Sequence, residues 1–222
     1  MDYFEKIIND LTIIERYEKI TEFEAKDEAW AFHNMEHIKN VVSLTEHLLK
    51  VQGYDEKFIE EAKIAAVLHD TGSLEGKKDH AFRSWQFAKE YFEKNKIELD
   101  NKELVLEAIK VHSEGFNCDN IIASALILAD KLDIKHTRVA PYGLKVEGMR
   151  QLQYIEDISV DFHNNDLKIN FQCHENLDVK ELENFYFFSK VLKSIGGFSE
   201  KMSLKPKIFL NNIEWNLSEF FN

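Results

Sequence analysis

The sequence predicts a mainly α fold: a helical bundle over residues 1–140, with a small C-terminal α+β extension, 141–222, packed on it and containing β-hairpins. Three observations carry this. Apolar residues recur at helical spacing up to about Leu132. Only two prolines occur in 222 residues, so few helices are broken from within. After Pro141 the apolar period changes from 3.6 to two.

The first helix is expected over Glu5 to Glu22, with Ile7, Ile8, Leu11, Ile14 and Tyr17 at helical spacing. The second runs from about Met35 to Val51, with Asn34 as N-cap and Gly53 as stop. The third spans about Glu56 to Leu68 and ends in the apolar run Ile64-Ala65-Ala66-Val67-Leu68. A loop with two glycines, Asp70 to Lys78, follows. The next helix covers His80 to Lys94, with Phe82, Trp85, Ala88 and Phe92 as its apolar face. Another covers Lys102 to His112, capped by Asp100 or Asn101, and a last one, capped by Asp119 or Asn120, reaches Leu132.

In the extension, Ile158, Val160 and Phe162 alternate with polar residues, as do Leu167, Ile169 and Phe171. A two-residue turn at Asn164-Asn165 pairs Phe162 with Leu167, Val160 with Ile169 and Ile158 with Phe171, all on one face. Asp178 then caps a helix with the stripe Leu182, Phe185, Phe188, Leu192 and Ile195, its end weakened by Gly196-Gly197. Lys207–Leu210 and Ile213–Leu217 are expected to form a second hairpin across Asn211-Asn212.

Composition narrows the function. A formal net charge of −12 argues against non-specific nucleic-acid binding, which needs basic surface. No apolar stretch approaches a membrane span, and Met1-Asp2-Tyr3-Phe4-Glu5-Lys6 lacks the regions of a signal peptide. Cys118 and Cys173 give no disulfide framework. A cytoplasmic protein without nucleic-acid or membrane partners is the expectation; a homodimer is left open.

His69-Asp70 closes the apolar run of the third helix. Burying an imidazole beside a carboxylate is costly unless something binds both, and a divalent metal does so by making both ligands. Further candidate ligands are His37, His80, His112 and Asp130. Asn34 leaves His33 in the turn before its helix and His37 one turn inside, a layout for an acid beside a metal ligand. Two half-buried histidines on an amphipathic helix are the alternative. Asp130, after Leu126-Ile127-Leu128-Ala129, is either a second buried carboxylate or a helix end reaching solvent with Lys131 and Asp133. His80 suits an exposed helix start, and His112 a helix dipole. Together these residues stand at helix ends, where a bundle converges on an inner site.

The order His37, His69-Asp70, Asp130 resembles the HD-domain superfamily of metal-dependent phosphohydrolases over roughly residues 30 to 135. The resemblance implies an HD-domain helical bundle in which these four residues bind a divalent metal. His80-Ala81-Phe82-Arg83-Ser84 and Ile109-Lys110-Val111-His112-Ser113 resemble the stretches that supply extra histidines in dinuclear members, such as bacterial symmetrical diadenosine tetraphosphatases. The β-containing tail is a departure from those compact enzymes. His33-Asn34-Met35-Glu36-His37 is similar to the opening motif of cyclic-nucleotide phosphodiesterases, whose first histidine donates a proton to the leaving oxygen; that implies the same role for His33.

The implied reaction is hydrolysis of a phosphoester or phosphoanhydride in a nucleotide-like small molecule by metal-activated water. Asp70 would bridge two metals, with His37, His69 and Asp130 completing one and His80 and His112 holding the other. Nitrogen and oxygen donors suit Fe, Mn, Co, Ni or Zn, and Mg less well. Lys77, Lys78 and Arg83 flank the expected site; one of them meets a substrate phosphate, or the three form a solvated cluster. Arg138 follows the last ligand helix closely enough to face the pocket. His47, His136, His163 and His174 fit no ligand pattern. Two alternatives stay open: a mononuclear HD nucleotidase, and a non-catalytic nucleotide-binding regulatory module.

Overall fold

The computed structural model describes residues 3–217, so positions 1–2 and 218–222 of the expected domains lie outside it. Its first feature departs from the apolar spacing. Instead of one helix over Glu5 to Glu22 there are two, α1 (Tyr3–Ile8) and α2 (Leu11–Lys26). Asp10 makes the break: its Oδ1 accepts from the Thr12 amide at 2.7 Å, and its carbonyl accepts from the Ile13 and Ile14 amides, as an N-cap does. The interruption resets the helical phase. Phe4, Ile7, Ile13, Tyr17 and Ile20 are buried, whereas Leu11 is exposed.

The chain forms two compact units. One gathers residues up to Phe23 with His33–Asp130; the other gathers Glu24–Phe32 with the chain from Lys131 onward. In the first unit α4 (Glu56–Leu68) is central and packs on α1, α3 (Met35–Val51), α5 (His80–Asn95) and α6 (Lys102–Val111). From Ala62 to Leu68 every residue of α4 is buried, so no solvent face remains. Asn34 caps α3 through its side chain, accepting from the His37 amide at 3.0 Å. Neither Asp100 nor Asn101 caps α6 as expected. Glu61 of α4 instead holds the two residues just before the helix, accepting from the Asp100 and Asn101 amides at 2.7 and 2.9 Å. Of the two candidate caps of α7 (Ile121–Leu132), Asn120 acts, accepting from the Ile122 and Ala123 amides. On α5 the buried face is Ala81, Ser84, Ala88, Tyr91 and Phe92; Phe82, expected inside, is exposed.

The second unit holds a four-stranded sheet of order β1-β2-β3-β4, with β1 Ile155–His163, β2 Asp166–Cys173, β3 Lys205–Leu210 and β4 Ile213–Glu214. The first hairpin has the expected register, Phe162 with Leu167, Val160 with Ile169 and Ile158 with Phe171. Asn164 takes the left-handed conformation the turn needs, φ 53°. β4 pairs antiparallel with β3 but ends at Glu214, short of the expected Leu217. The parallel pairing of β3 with β2 has no local signal. The expected helix after Asp178 is two, α8 (Val179–Asn184) and α9 (Tyr186–Lys201), split at Phe185, whose extended backbone turns the chain. Its stripe is nonetheless buried throughout. Gly196-Gly197 lies inside α9, because Phe198 and Ser199 beyond it are buried and anchor the last turn.

Within this unit Trp30 and Phe32 pair with Arg138–Ala140 through the Phe32 amide to the Arg138 carbonyl and the Ala140 amide to the Trp30 carbonyl. Among the described residues no helix is long and apolar enough to cross a membrane.

Candidate metal centre

Every residue of the expected ligand set lies in the first unit, at a helix end. His37 sits in the first turn of α3, His69 and His112 directly follow α4 and α6, His80 begins α5, and Asp130 is in the last turn of α7. Two groups of ligand atoms result: His37, His69, Asp70 and Asp130, and Asp70, His80 and His112, each within 4.8 Å.

Asp70 belongs to both groups, and its two oxygens divide between them. Oδ2 lies 3.4 Å from His37 Nε2 and 3.2 Å from His69 Nε2. Oδ1 lies 3.4 Å from His80 Nε2 and 3.6 Å from His112 Nε2. Asp130 Oδ1 completes the first group, 3.5 and 3.7 Å from His37 and His69. At 7% exposure, Asp130 is not a helix end emerging into solvent.

The backbone fixes how the imidazoles face. Nδ1 of His69 lies 2.8 Å from the Ala66 carbonyl, Nδ1 of His80 2.8 Å from that of Lys77, and Nδ1 of His112 2.7 Å from that of Ile109. A carbonyl only accepts, so each Nδ1 donates and each ring turns Nε2 inward, where a lone pair is free whenever the ring is neutral. For His69 and His112 these carbonyls belong to the last helical turn, where amide partners run out.

The donor set fits a cation. His80 and His112 set their Nε2 atoms 3.0 Å apart. Burial pushes His80 down to about 3 and lowers His112, despite Asp70 nearby, so both rings are neutral and two lone pairs face each other. His69 Nε2 is buried and makes no hydrogen bond. Burial alone would lower its pKa, but the carboxylates of Asp70 and Asp130 outweigh it and raise it to about 9. A metal held by His69 would take the place of that proton. Burial alone would likewise raise the Asp70 carboxyl, yet Lys77, His69 and His33 hold it well below the usual carboxylate range.

The loop after Asp70 brings one basic residue to the cluster. Lys77 Nζ is 3.8 Å from Asp70 Oδ1 and contacts His33 Nε2, and His33 Nε2 is itself 3.9 Å from Asp70 Oδ2. Lys78 is exposed. Arg83 turns its guanidinium onto backbone, donating to the carbonyls of Gly72, Lys78 and Gly76, and so clamps the loop. Arg138 lies in the second unit, buried, with Nη1 on the Phe32 carbonyl and Nε 3.9 Å from Asp133. His47, His136, His163 and His174 are exposed and enter neither ligand group.

Sequence reasoning passed over the residues that hold the His69-Asp70 turn. Tyr17 donates to the Val67 carbonyl at 2.6 Å, Arg16 to that of Thr71, and the Ser84 hydroxyl accepts from the Gly72 amide. Helical phase marks Tyr17 as buried, but nothing local says what it touches.

Residues 34–135 match the HD domain model. No curated protein matches the chain significantly. The match spans His37 through Asp130 and leaves the sheet-containing segment outside.

Proposed function

We propose, from the HD domain as premise, that this chain is a metal-dependent phosphohydrolase with a dinuclear centre, acting on a phosphoester or phosphoanhydride of a small nucleotide-like molecule. The observation that carries the reading is the division of Asp70, one oxygen toward each ligand group. A single-metal site has no use for His80 and His112 gathered on the far side of that carboxylate. In the proposed assignment His37, His69, Asp70 and Asp130 would hold one ion, and Asp70, His80 and His112 the other. Fe, Mn, Co, Ni and Zn suit this nitrogen and oxygen set better than Mg.

When bound, such ions supply Lewis acidity, acidifying water and neutralising phosphoryl charge. The remaining work falls to the chain. His33, buried beside Asp70, is positioned to protonate the leaving oxygen. Lys77, half-exposed and reaching the same carboxylate, meets a substrate phosphate. Arg83 orders the loop that carries Lys77, its three guanidinium nitrogens donating to backbone carbonyls.

The test is turnover of an aryl phosphate and a nucleotide panel by protein loaded with manganese or iron. The reading expects hydrolysis, lost in Asp70→Ala. Protein that carries metal yet hydrolyses no member of the panel refutes it, and tight nucleotide binding without turnover would favour a regulatory module.

A further inference from the structure

The turn presenting His69 and Asp70 is fastened from behind by α2. Where α4 ends, its last carbonyls have no amide partners, and side chains take them instead: His69 on Ala66, Tyr17 on Val67, Thr71 on Leu68. One residue past Asp70, the Thr71 carbonyl accepts from Arg16 Nε. Tyr17 and Arg16 are adjacent on α2 and bracket the His-Asp pair, one bond three residues before Asp70 and one directly after it. Tyr17 is wholly buried, and the Arg16 guanidinium lies 4.4 Å over the Phe87 ring, which holds its fork in place. Neither residue touches a ligand atom; both act on the backbone from which the carboxylate projects.

That backbone has little freedom to err. The Asp70 oxygens stand 3.2–3.6 Å from four imidazole nitrogens on opposite sides, so a tilt that improves one side spoils the other. A misplacement of about 1 Å is costly at such a site.

We propose that Tyr17 and Arg16 are positioning residues for Asp70, holding its carboxylate so that it serves both ligand groups at once. The inference rests on the dinuclear reading above.

The experiment compares wild type with Tyr17→Phe, Arg16→Met and Arg16→Lys, all loaded with Mn(II), by manganese content, by the EPR signal of a spin-coupled pair, and by kcat and KM on an aryl phosphate. Tyr17→Phe and Arg16→Met are expected to lower kcat by roughly 10- to 100-fold, as loss of outer partners of metal ligands does, with KM little changed and the coupled signal weakened. Arg16→Lys, which keeps a donor for the Thr71 carbonyl, restores much of both. Tyr91→Phe is the control: it deletes a tyrosine hydroxyl bonded to Asp10 in the same unit and leaves kcat and signal at wild-type level.

Wild-type kcat and coupled signal in both Tyr17→Phe and Arg16→Met overturn the inference, as does an equal loss in Tyr91→Phe. If Tyr17→Phe fails to fold, Arg16→Met and its lysine rescue decide. A wild type without a coupled pair refutes the dinuclear reading and this inference with it; a coupled wild type with unchanged variants refutes this inference alone.

Discussion

Gly72→Ala moves the loop that joins the two halves of the site. Gly72 lies two residues past Asp70, against the start of α5. A β-carbon there would stand 2.3 Å from the His80 carbonyl oxygen, 2.5 Å from the Ser84 amide nitrogen and 2.8 Å from Arg83 Cβ, where ordinary contact begins at 3.4 Å. Backbone on both sides must therefore separate by about 1 Å. The first loss is the bond from the Gly72 amide to Ser84 Oγ, now 2.8 Å, which leaves a buried donor at a cost of about 1–3 kcal/mol. Overpacking adds about 1–3 kcal/mol. A total near 3 kcal/mol lowers Tm by about 6–12 °C in a chain of this size. The displaced segment begins with His80, whose Nε2 is 3.4 Å from Asp70 Oδ1, so one metal is expected to weaken far more than the other. Differential scanning calorimetry of metal-free protein and metal counting across a titration read the two effects. A variant with wild-type Tm that loads both ions equally well would show that the tight seat of Gly72 does not hold the site.

Three further outcomes follow from the same geometry. Asp10 lies beside the Tyr91 hydroxyl and the Thr12 amide, which outweigh its burial and hold its carboxyl below 3.8; a depressed carboxyl stabilises the fold above that pH and ceases to do so as pH falls through the folded value. Tyr91→Phe should therefore cost about 1 kcal/mol at neutral pH, a deficit that shrinks in urea melts below pH 3.8; a deficit that grows on acidification contradicts it. Free metal at 100 times Kd should raise stability by about 2.7 kcal/mol per site, or about 5–10 °C, reversed by chelator; an unchanged melt argues that the cluster holds no ion in the folded state. Lys77→Ala should raise KM for a phosphorylated substrate about tenfold, the worth of one charge-assisted contact of about 1.5 kcal/mol, at unchanged metal content; an unchanged KM removes Lys77 from substrate binding.

What the sequence disclosed was whatever depends on local pattern. The β1–β2 register followed pair by pair from a period of two and an Asn-Asn turn, α3 followed from the Asn34 cap and its apolar spacing, α4 from its apolar run, and the start of α7 from an Asp119-Asn120 cap signal that left open which of the two acts. Asn9-Asp10 carried a legible cap signal, yet continuing apolar residues masked the break. Phe185 ends α8 without Gly or Pro, so its stripe read as one helix. The candidate ligands were visible because buried His and Asp beside apolar runs are costly, and the fold brings them into two groups. The roles of Glu61, Arg83, Arg16 and Tyr17 were not, because each is defined by backbone groups that only the fold brings near: Glu61 bonds amides some 40 residues away and Arg16 a carbonyl 55 residues away. A guanidinium beside an expected phosphate site reads as a candidate substrate contact, and only the fold shows its nitrogens donating to carbonyls.

The central claim is that Asp70 joins two ligand groups, and the most direct test is metal stoichiometry by elemental analysis of protein loaded with manganese under chelator-free conditions. The account predicts two ions per wild-type chain, one in His80→Ala and in His112→Ala, and neither in Asp70→Ala. One ion in wild type that persists unchanged in His80→Ala and His112→Ala would contradict it.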